Sequence, residues 1–277
     1  MSPEFEKEIS IVTEKAYYYY SKTCSDSCVN PVICIHESMP LLQNGPQCGL
    51  VALSTAVAIL DLKQKVRVQE WFDEAKAKGY TKQGELFSSQ YIVDLVNHKI
   101  GKHAKLFKIQ NLLEKTDCWK NSLNLTEKVD TILSSLLKKE IVLMPYDCDY
   151  NHEPALKKGH KSHWAVIIGF VIFSDHLSPL PLKEKTKITH PSGIVITVVD
   201  SIDDLSSISK EHIYVVCRQG KSKHLGVWPL LSLLASNSNL VEYPPSLLED
   251  GNYILPTEGI DIALKDTFVV ISKEIVG

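Results

Sequence analysis

Cys48 and His163 are the residues whose types and settings could do chemistry together. Cys48 lies in the stretch LLQNGPQCGL, residues 41–50, at the mouth of the apolar run VALSTAVAIL, and His163 opens a second apolar run in GHKSHWAVIIGF. A thiol at a helix N-terminus faces unpaired backbone N–H groups and the positive end of the helix dipole, which favour the thiolate. A thiolate is a nucleophile, but it needs a base and acid close by. His163 fits that role because a strand as apolar as AVIIGFVIF must lie in the core and hold the imidazole in place. His160, three residues earlier in a loop of Lys and Gly, is the competing imidazole. Asp200 ends the run GIVITVVD, and if the strands carrying His163 and Asp200 are antiparallel neighbours, the carboxylate comes to the imidazole and fixes its tautomer. Gln43 precedes the cysteine by five residues, across a Gly-Pro turn, so its amide can join the Cys48 N–H around an oxyanion. Trp164, beside His163, is assigned to the substrate-facing set.

Each of these residues also has a plainer explanation. Cysteines are often buried small hydrophobes, and an Asp at the end of a strand is often a turn former. The argument for chemistry is the ordered set of Gln, Cys, His and Asp, each at the useful end of an expected element. Other motifs fail. GKS at 220–222 ends like a phosphate loop, but Val215 stands where that motif needs Gly. HEPAL at 152–156 lacks the second histidine of a zinc protease helix and contains Pro154. Cys24, Cys28 and Cys34 match no zinc knuckle, and Asp147, Cys148, His152 and His160 have no clean ligand spacing, so neither a metal nor another cofactor is expected.

The elements that must position these groups fall into two textures. Apolar residues recur at three to four positions over 4–22, 48–60, 66–78, 88–98 and 125–138, which predicts five helices. From residue 141 the chain turns to short β-branched runs, IVLMPY, HWAVIIGFVIF, GIVITVVD, HIYVVCRQG, NLVEY and DTFVVIS, which predict strands. The expected fold is therefore α+β, a helical N-terminal half, with Cys48 at a helix N-terminus, packed on a C-terminal antiparallel sheet. Residues 1–40 read as an N-terminal extension, 41–277 as the catalytic domain, and 174–193, rich in Pro, Ser and Lys, as a surface insertion.

The 277 residues are 44% hydrophobic, enough for one sizeable core. The formal charge of −3, with both signs interspersed, offers no basic stripe for nucleic acid. The charged N-terminus lacks a signal-peptide core, and the longest apolar run is far short of the roughly 20 residues of a membrane span. Seven cysteines without secretory context predict a reduced, cytoplasmic protein.

The segments LLQNGPQCGLVAL, NHEPALKKGHKSHWAVIIGF and RQGKSKHLGVW together resemble the actin maturation protease family, itself similar to the bacteriocin-processing branch of papain-like cysteine peptidases. The resemblance implies a papain-like fold in which Gln43 serves the oxyanion, Cys48 attacks and His163 moves the proton. It implies a thiol aminopeptidase that removes an N-acetylated first residue, Met or Cys, from immature actin. The third catalytic residue stays open between Asp200 and Gln219. Family members can carry a proline-rich stretch suited to profilin, whereas this chain has only Pro3 before residue 31, which argues against direct profilin binding. Actin is acidic after its first residue, so Lys157, Lys158 and Lys161, with Lys221 and Lys223, form a candidate basic rim for it. The same Cys-His-Asp order would serve an acyl transferase, and an inactive protease fold would serve as a protein-binding module.

Overall fold

In the computed structural model the described residues are 2–24, 30–61, 67–101, 103–108, 123–173, 182–202, 205 and 208–273. Helices α1 (Pro3–Tyr20), α2 (Cys48–Ile59), α3 (Val68–Ala77), α4 (Ser89–Lys99) and α5 (Leu123–Leu137) fill the first half of the chain, each close to the bounds the periodicity predicts. The short helices α6 (Leu230–Ser238), α7 (Pro245–Glu249) and α8 (Ile260–Ala263) follow. Among the described residues nine strands form one sheet: β1 (Val32–Ile35), β2 (Ala104–Lys108), β3 (Ile141–Asp147), β4 (Ser162–Ile172), β5 (Leu182–Thr189), β6 (Val195–Ile202), β7 (Ile213–Arg218), β8 (Gly226–Pro229) and β9 (Thr267–Ile271). Their order is β2-β9-β3-β4-β1-β6-β5, and β7 and β8 branch from β4.

β4 is the hub. The first half of one edge pairs with β3 and the second half with β1, while the other edge pairs with β7. A strand bonded on both edges and covered on both faces reads as a continuous apolar run, which is why residues 163–172 of β4 are buried throughout. Trp164, Val166 and Ile168 enter one core with Leu50 and Leu53 of α2 and Ile9 of α1. Ala165, Ile167 and Phe170 enter a second core with Ile132 and Leu136 of α5 and Leu233 of α6. Helices therefore cover both faces. α2 lies deepest, with Gly49 through Val57 all buried, as a helix apolar all round must be.

Several expectations are corrected. The sheet is not confined to the C-terminal half and is not wholly antiparallel: β1 and β2 come from the helical half, and β1 runs parallel to β6. Within residues 1–40, read as an N-terminal extension, α1 packs into the core. Ser2 caps α1, with its side chain accepting from Phe5 N–H at 3.3 Å, and Ile9, Val12, Ala16 and Tyr20 are buried in the core. In the segment 174–193, residues 182–189 form β5 against β6 and 174–181 lie outside the described residues. Residues 239–243 form no strand. The N–H groups of Val241 and Glu242 both go to Lys158 O, and Pro244 and Pro245 follow at once, so the stretch straps the loop before β4 instead of joining a ladder.

β1 reaches β4 only because position 169 has no side chain. A Cβ there would lie 2.4 Å from Cys34 O and 2.8 Å from Ile35 Cα, both backbone atoms that cannot step aside. The β4–β7 register also shifts between Ile167 and Gly169, which turns the strand where its partner changes from β3 to β1. Gly169→Ala is expected to destabilise the protein by about 1–3 kcal/mol, the usual cost of overpacking, measured by urea unfolding. An unchanged unfolding midpoint would contradict this account of β4.

Candidate active site

Cys48 is the first residue of α2 and is half-buried. Gln47, at the N-cap position, makes no side-chain cap, so no capping oxygen competes for the first-turn N–H groups. The Cys48 sulfur interacts with its own N–H, with that of Gly49 and with that of Trp164 at the start of β4. Position 49 must be glycine for this: a Cβ would meet Leu86 Cβ at 3.1 Å and Trp164 Nε1 at 3.2 Å. The helix mouth thus sits directly on the strand that carries His163.

His163 is buried, and its ring meets Tyr146 and His152 edge-on, with centroids 5.8 and 5.2 Å away. Its Nε2 lies 3.3 Å from Gln219 Oε1. Gln219 Oε1 also accepts the Lys221 N–H at 3.0 Å, which identifies that atom as the oxygen. Its partner on the imidazole must therefore be a donor, so His163 carries its proton on Nε2 and Nδ1 is free to accept one. Gln219 stands in the orienting position.

Asp200 does not. β4 pairs with β3, β1 and β7, and β6 is separated from it by β1. Continuing the parallel register Ile33↔Val198 sets Asp200 level with Ile35, which faces Gly169. Gly169 is six residues beyond His163, about 20 Å along an extended strand. The expected antiparallel neighbourhood of the two strands fails because β1, missed from sequence, lies between them.

Burial dominates the electrostatics of both groups. It pushes the Cys48 thiol up to about 11, although the three backbone N–H groups and the charge of Lys221 act the other way. It draws the His163 imidazole down to about 3, helped by His152, Lys221 and Lys161 and opposed by the Gln219 hydrogen bond. Burial thus works against the thiolate that the helix terminus favours, and against the charged form of the imidazole.

Gln43 is held in the turn before α2. Its backbone N–H donates to Gly220 O at 2.8 Å, and its side-chain Nε2 donates to Gly45 O at 2.7 Å, which leaves the second amide hydrogen for another acceptor. Gly220 carries no side chain where a Cβ would lie 2.7 Å from Gln43 Oε1. Gln43, Cys48, His163 and Gln219 are therefore gathered at one place from four separate segments. The gathering has a keystone the sequence did not reveal, the buried Arg218. Its guanidinium donates to Glu8 Oε1 in α1 at 2.6 Å, to Ser38 Oγ and O at 2.9 and 2.8 Å, and to Lys223 O at 2.8 Å. It ties α1, the segment leading to Gln43 and the loop carrying Gln219 into one unit.

Residues 38–171 match the family described as actin maturation protease-like, C-terminal domain. A protein named actin maturation protease from Xenopus tropicalis is 35% identical over 227 residues, 81% of this chain and 68% of the relative. Its counterpart from Danio rerio is 32% identical over 232 residues, 81% of this chain and 69% of the relative. The chain belongs to the actin maturation protease family. The Homo sapiens protein of the same name is 32% identical over 229 residues, of which this chain spans 61% of the relative. No solved structure matches.

The remaining residues expected of this family member are placed as follows. Trp164 is 2% exposed and its indole N–H donates to Leu86 O at 3.0 Å, so it fastens α2 and the 81–88 loop to β4 and is withdrawn from the substrate-facing set. Lys157 and Lys158 are exposed; Lys158 pairs with Glu242 at 3.6 Å, while Lys157 and Lys161 lie over the Tyr150 ring. Of the three, Lys161 is the one whose charge reaches His163, joined by Lys221. His160 is turned away to Glu242 at 2.9 Å. Among the described residues no group of three or more His, Cys, Asp or Glu side chains is placed to hold a metal ion; Cys28 lies outside them. Among the same residues no helix is long and apolar enough to cross a membrane.

Two outcomes follow from this geometry. Alkylation of Cys48 by iodoacetamide, read by peptide mass spectrometry, is slow at pH 7 and climbs with pH toward a midpoint well above the ordinary thiol value of about 8.5; a midpoint below pH 7 would mean a preformed ion pair. Replacing Gln219 by Ala lowers kcat about tenfold, the worth of one good hydrogen bond, whereas Asp200→Asn leaves it unchanged; the reverse result would restore the carboxylate to the site.

Proposed function

We propose that this chain is a cysteine peptidase that removes the N-acetylated first residue, Met or Cys, from immature actin in the cytoplasm. The observation that carries the reading is the packing of the first turn of α2 on the start of β4, where a Cβ at Gly49 would lie 3.2 Å from Trp164 Nε1, one residue from an imidazole whose Nε2 is engaged by Gln219. The curated relatives are named for the maturation of actin, and that name supplies the substrate. A papain-like fold is part of the proposal, since a thiol at a helix mouth and an imidazole at a strand start are its working parts.

The uncharged resting pair sets the order of proton movements. As the Cys48 sulfur attacks the carbonyl carbon of the first residue, its proton passes to His163 Nδ1, and the carbonyl electrons move onto oxygen. That oxyanion takes the Cys48 N–H and the second amide hydrogen of Gln43. The imidazolium then gives its proton to the leaving amine as the C–N bond breaks, so that an acyl-enzyme and a shortened chain remain. Water, deprotonated by His163, attacks the thioester, releases the N-acetyl amino acid and returns the proton to sulfur. Lys161 and Lys221 flank the imidazole and suit a substrate that is acidic just past the scissile bond.

A peptide beginning acetyl-Met-Asp-Asp, incubated with the purified chain, is expected to release acetyl-methionine, and Cys48→Ala is expected to abolish the release, both read by mass spectrometry. If acetyl-methionine forms equally with Cys48→Ala, the thiol is not the nucleophile.

A further inference from the structure

The turn after β3 carries an imidazole that the chemistry of Cys48 and His163 does not use. His152 is half-buried, and its ring stands edge-on to that of His163 with centroids 5.2 Å apart. Its backbone lies in the left-handed region, φ 65°, which is uncommon outside glycine. The turn is built to hold it there. The His152 N–H donates to Asp149 O at 3.3 Å, and the buried Tyr146 hydroxyl donates to His152 O at 2.8 Å. Asp149 Oδ1 accepts the N–H groups of Asn151 and Glu153 at 2.8 and 2.9 Å. His152 Nδ1 lies 3.2 Å from Tyr150 O, which can only accept, so Nδ1 carries a hydrogen. Nε2 has no hydrogen-bond partner among the described residues and is not sealed from solvent.

We infer that His152 reads the first side chain beyond the scissile bond: together with Lys161 and Lys221, its Nε2 seats a carboxylate there. The inference rests on the peptidase reading and adds a specificity residue to it. Position supports it, because His163 gives its proton to the leaving amine, so the residue bearing that amine lies beside His163, where the His152 ring stands. Charge supports it as well. Lys161, with Nζ donating to Asp149 O at 2.8 Å, and Lys221, two residues after Gln219, act on both imidazoles. The nearby acids are engaged: Asp149 closes its own turn, and Glu153 faces Tyr19 of α1.

In the empty site burial and the two lysines hold His152 below the ordinary imidazole value, against Asp149 and the Tyr150 carbonyl, so the ring is mainly uncharged at pH 7. A carboxylate at Nε2 reverses the balance, and the ring takes a proton from water as the acid binds. The resulting ion pair adds no net charge beside His163, which must itself become charged during the reaction. An amide side chain brings no such reversal. Of the other titratable groups at the ring, burial keeps the Tyr146 phenol protonated, and His163 acts alike on every substrate. Preference for an acidic residue therefore grows as pH falls.

The test uses the intact chain and two acetyl-Met peptides that differ only in the first residue after the scissile bond, Asp or Asn. The ratio of kcat/KM for Asp over Asn cancels what Cys48 and His163 do for both, and it is expected to rise about tenfold from about pH 8 to about pH 6. His152→Asn, which tolerates the left-handed backbone, is expected to lower the ratio about tenfold at the acid end and to flatten its pH dependence. His152→Gln, which keeps a donor but does not titrate, is expected to flatten it too. A native ratio that does not move with pH, or a pH dependence that survives either substitution, would overturn the inference while leaving the peptidase reading intact. No release from either peptide would overturn that reading, and the inference with it.

Discussion

Everything at the site depends on how closely the first turn of α2 approaches the beginning of β4. The approach is possible because residue 49 has no side chain, and it is locked by the Trp164 indole, which spans from β4 to Leu86 O. The 81–88 loop that supplies this carbonyl is itself knotted around the buried Glu85, whose carboxylate accepts from Thr81 Oγ1, Lys82 N–H, Gln83 N–H and Ile254 N–H. A carboxyl group can be buried this way because its oxygens are taken up by donors. The knot holds the loop, the loop holds Trp164, and Trp164 holds the sulfur beside the histidine strand.

The same closeness explains the ionisation of the pair. Packing that sets the sulfur and imidazole also strips water from them, and desolvation favours the uncharged form of each. The helix N–H groups and the lysine charges do not reverse this at rest. In the proposed reaction their contribution falls at the transition state, where charge develops on oxygen and on the imidazole and where fixed donors need no rearrangement. Gln219 has a related part, because a neutral amide can fix the imidazole tautomer without the strong pull on a proton that a buried carboxylate would exert.

The long periodic and apolar segments were legible from sequence: five helices close to their observed bounds, and β3, β4, β6, β7 and β9. Cys48 and His163 stand at the ends of such segments, at the starts of α2 and β4. What escaped were short or polar strands, β2 among them. β1 and β8 have four residues each, too few for a period, and β5, LKEKTKIT, is polar because it closes the edge of the sheet. Missing β1 alone accounts for the choice of Asp200, since the inferred neighbourhood of β4 and β6 needed the place β1 occupies. Gln219 and Arg218 follow a buried run without any local pattern, and besides local contacts to Lys221 and Lys223 they reach partners 56 residues or more away in the chain, at His163, Ser38 and Glu8. Such roles are written in the tertiary structure and not in any window of residues.

The position of β9 bears on how the chain comes off the ribosome. It is the last strand in order, yet it lies between β2 and β3 and is the strand to which β2 is bonded. A nascent chain that already contains Cys48, His163 and Gln219 still presents one edge of β3 as an open template for foreign strands, and β2 has nothing to join. Synthesis must run past residue 271 before the sheet closes, so the sheet is completed only after every residue of the candidate site has been made. A transcript cut short by even a few codons in this region would yield a chain with its chemistry written and its scaffold open, a natural substrate for chaperones and degradation.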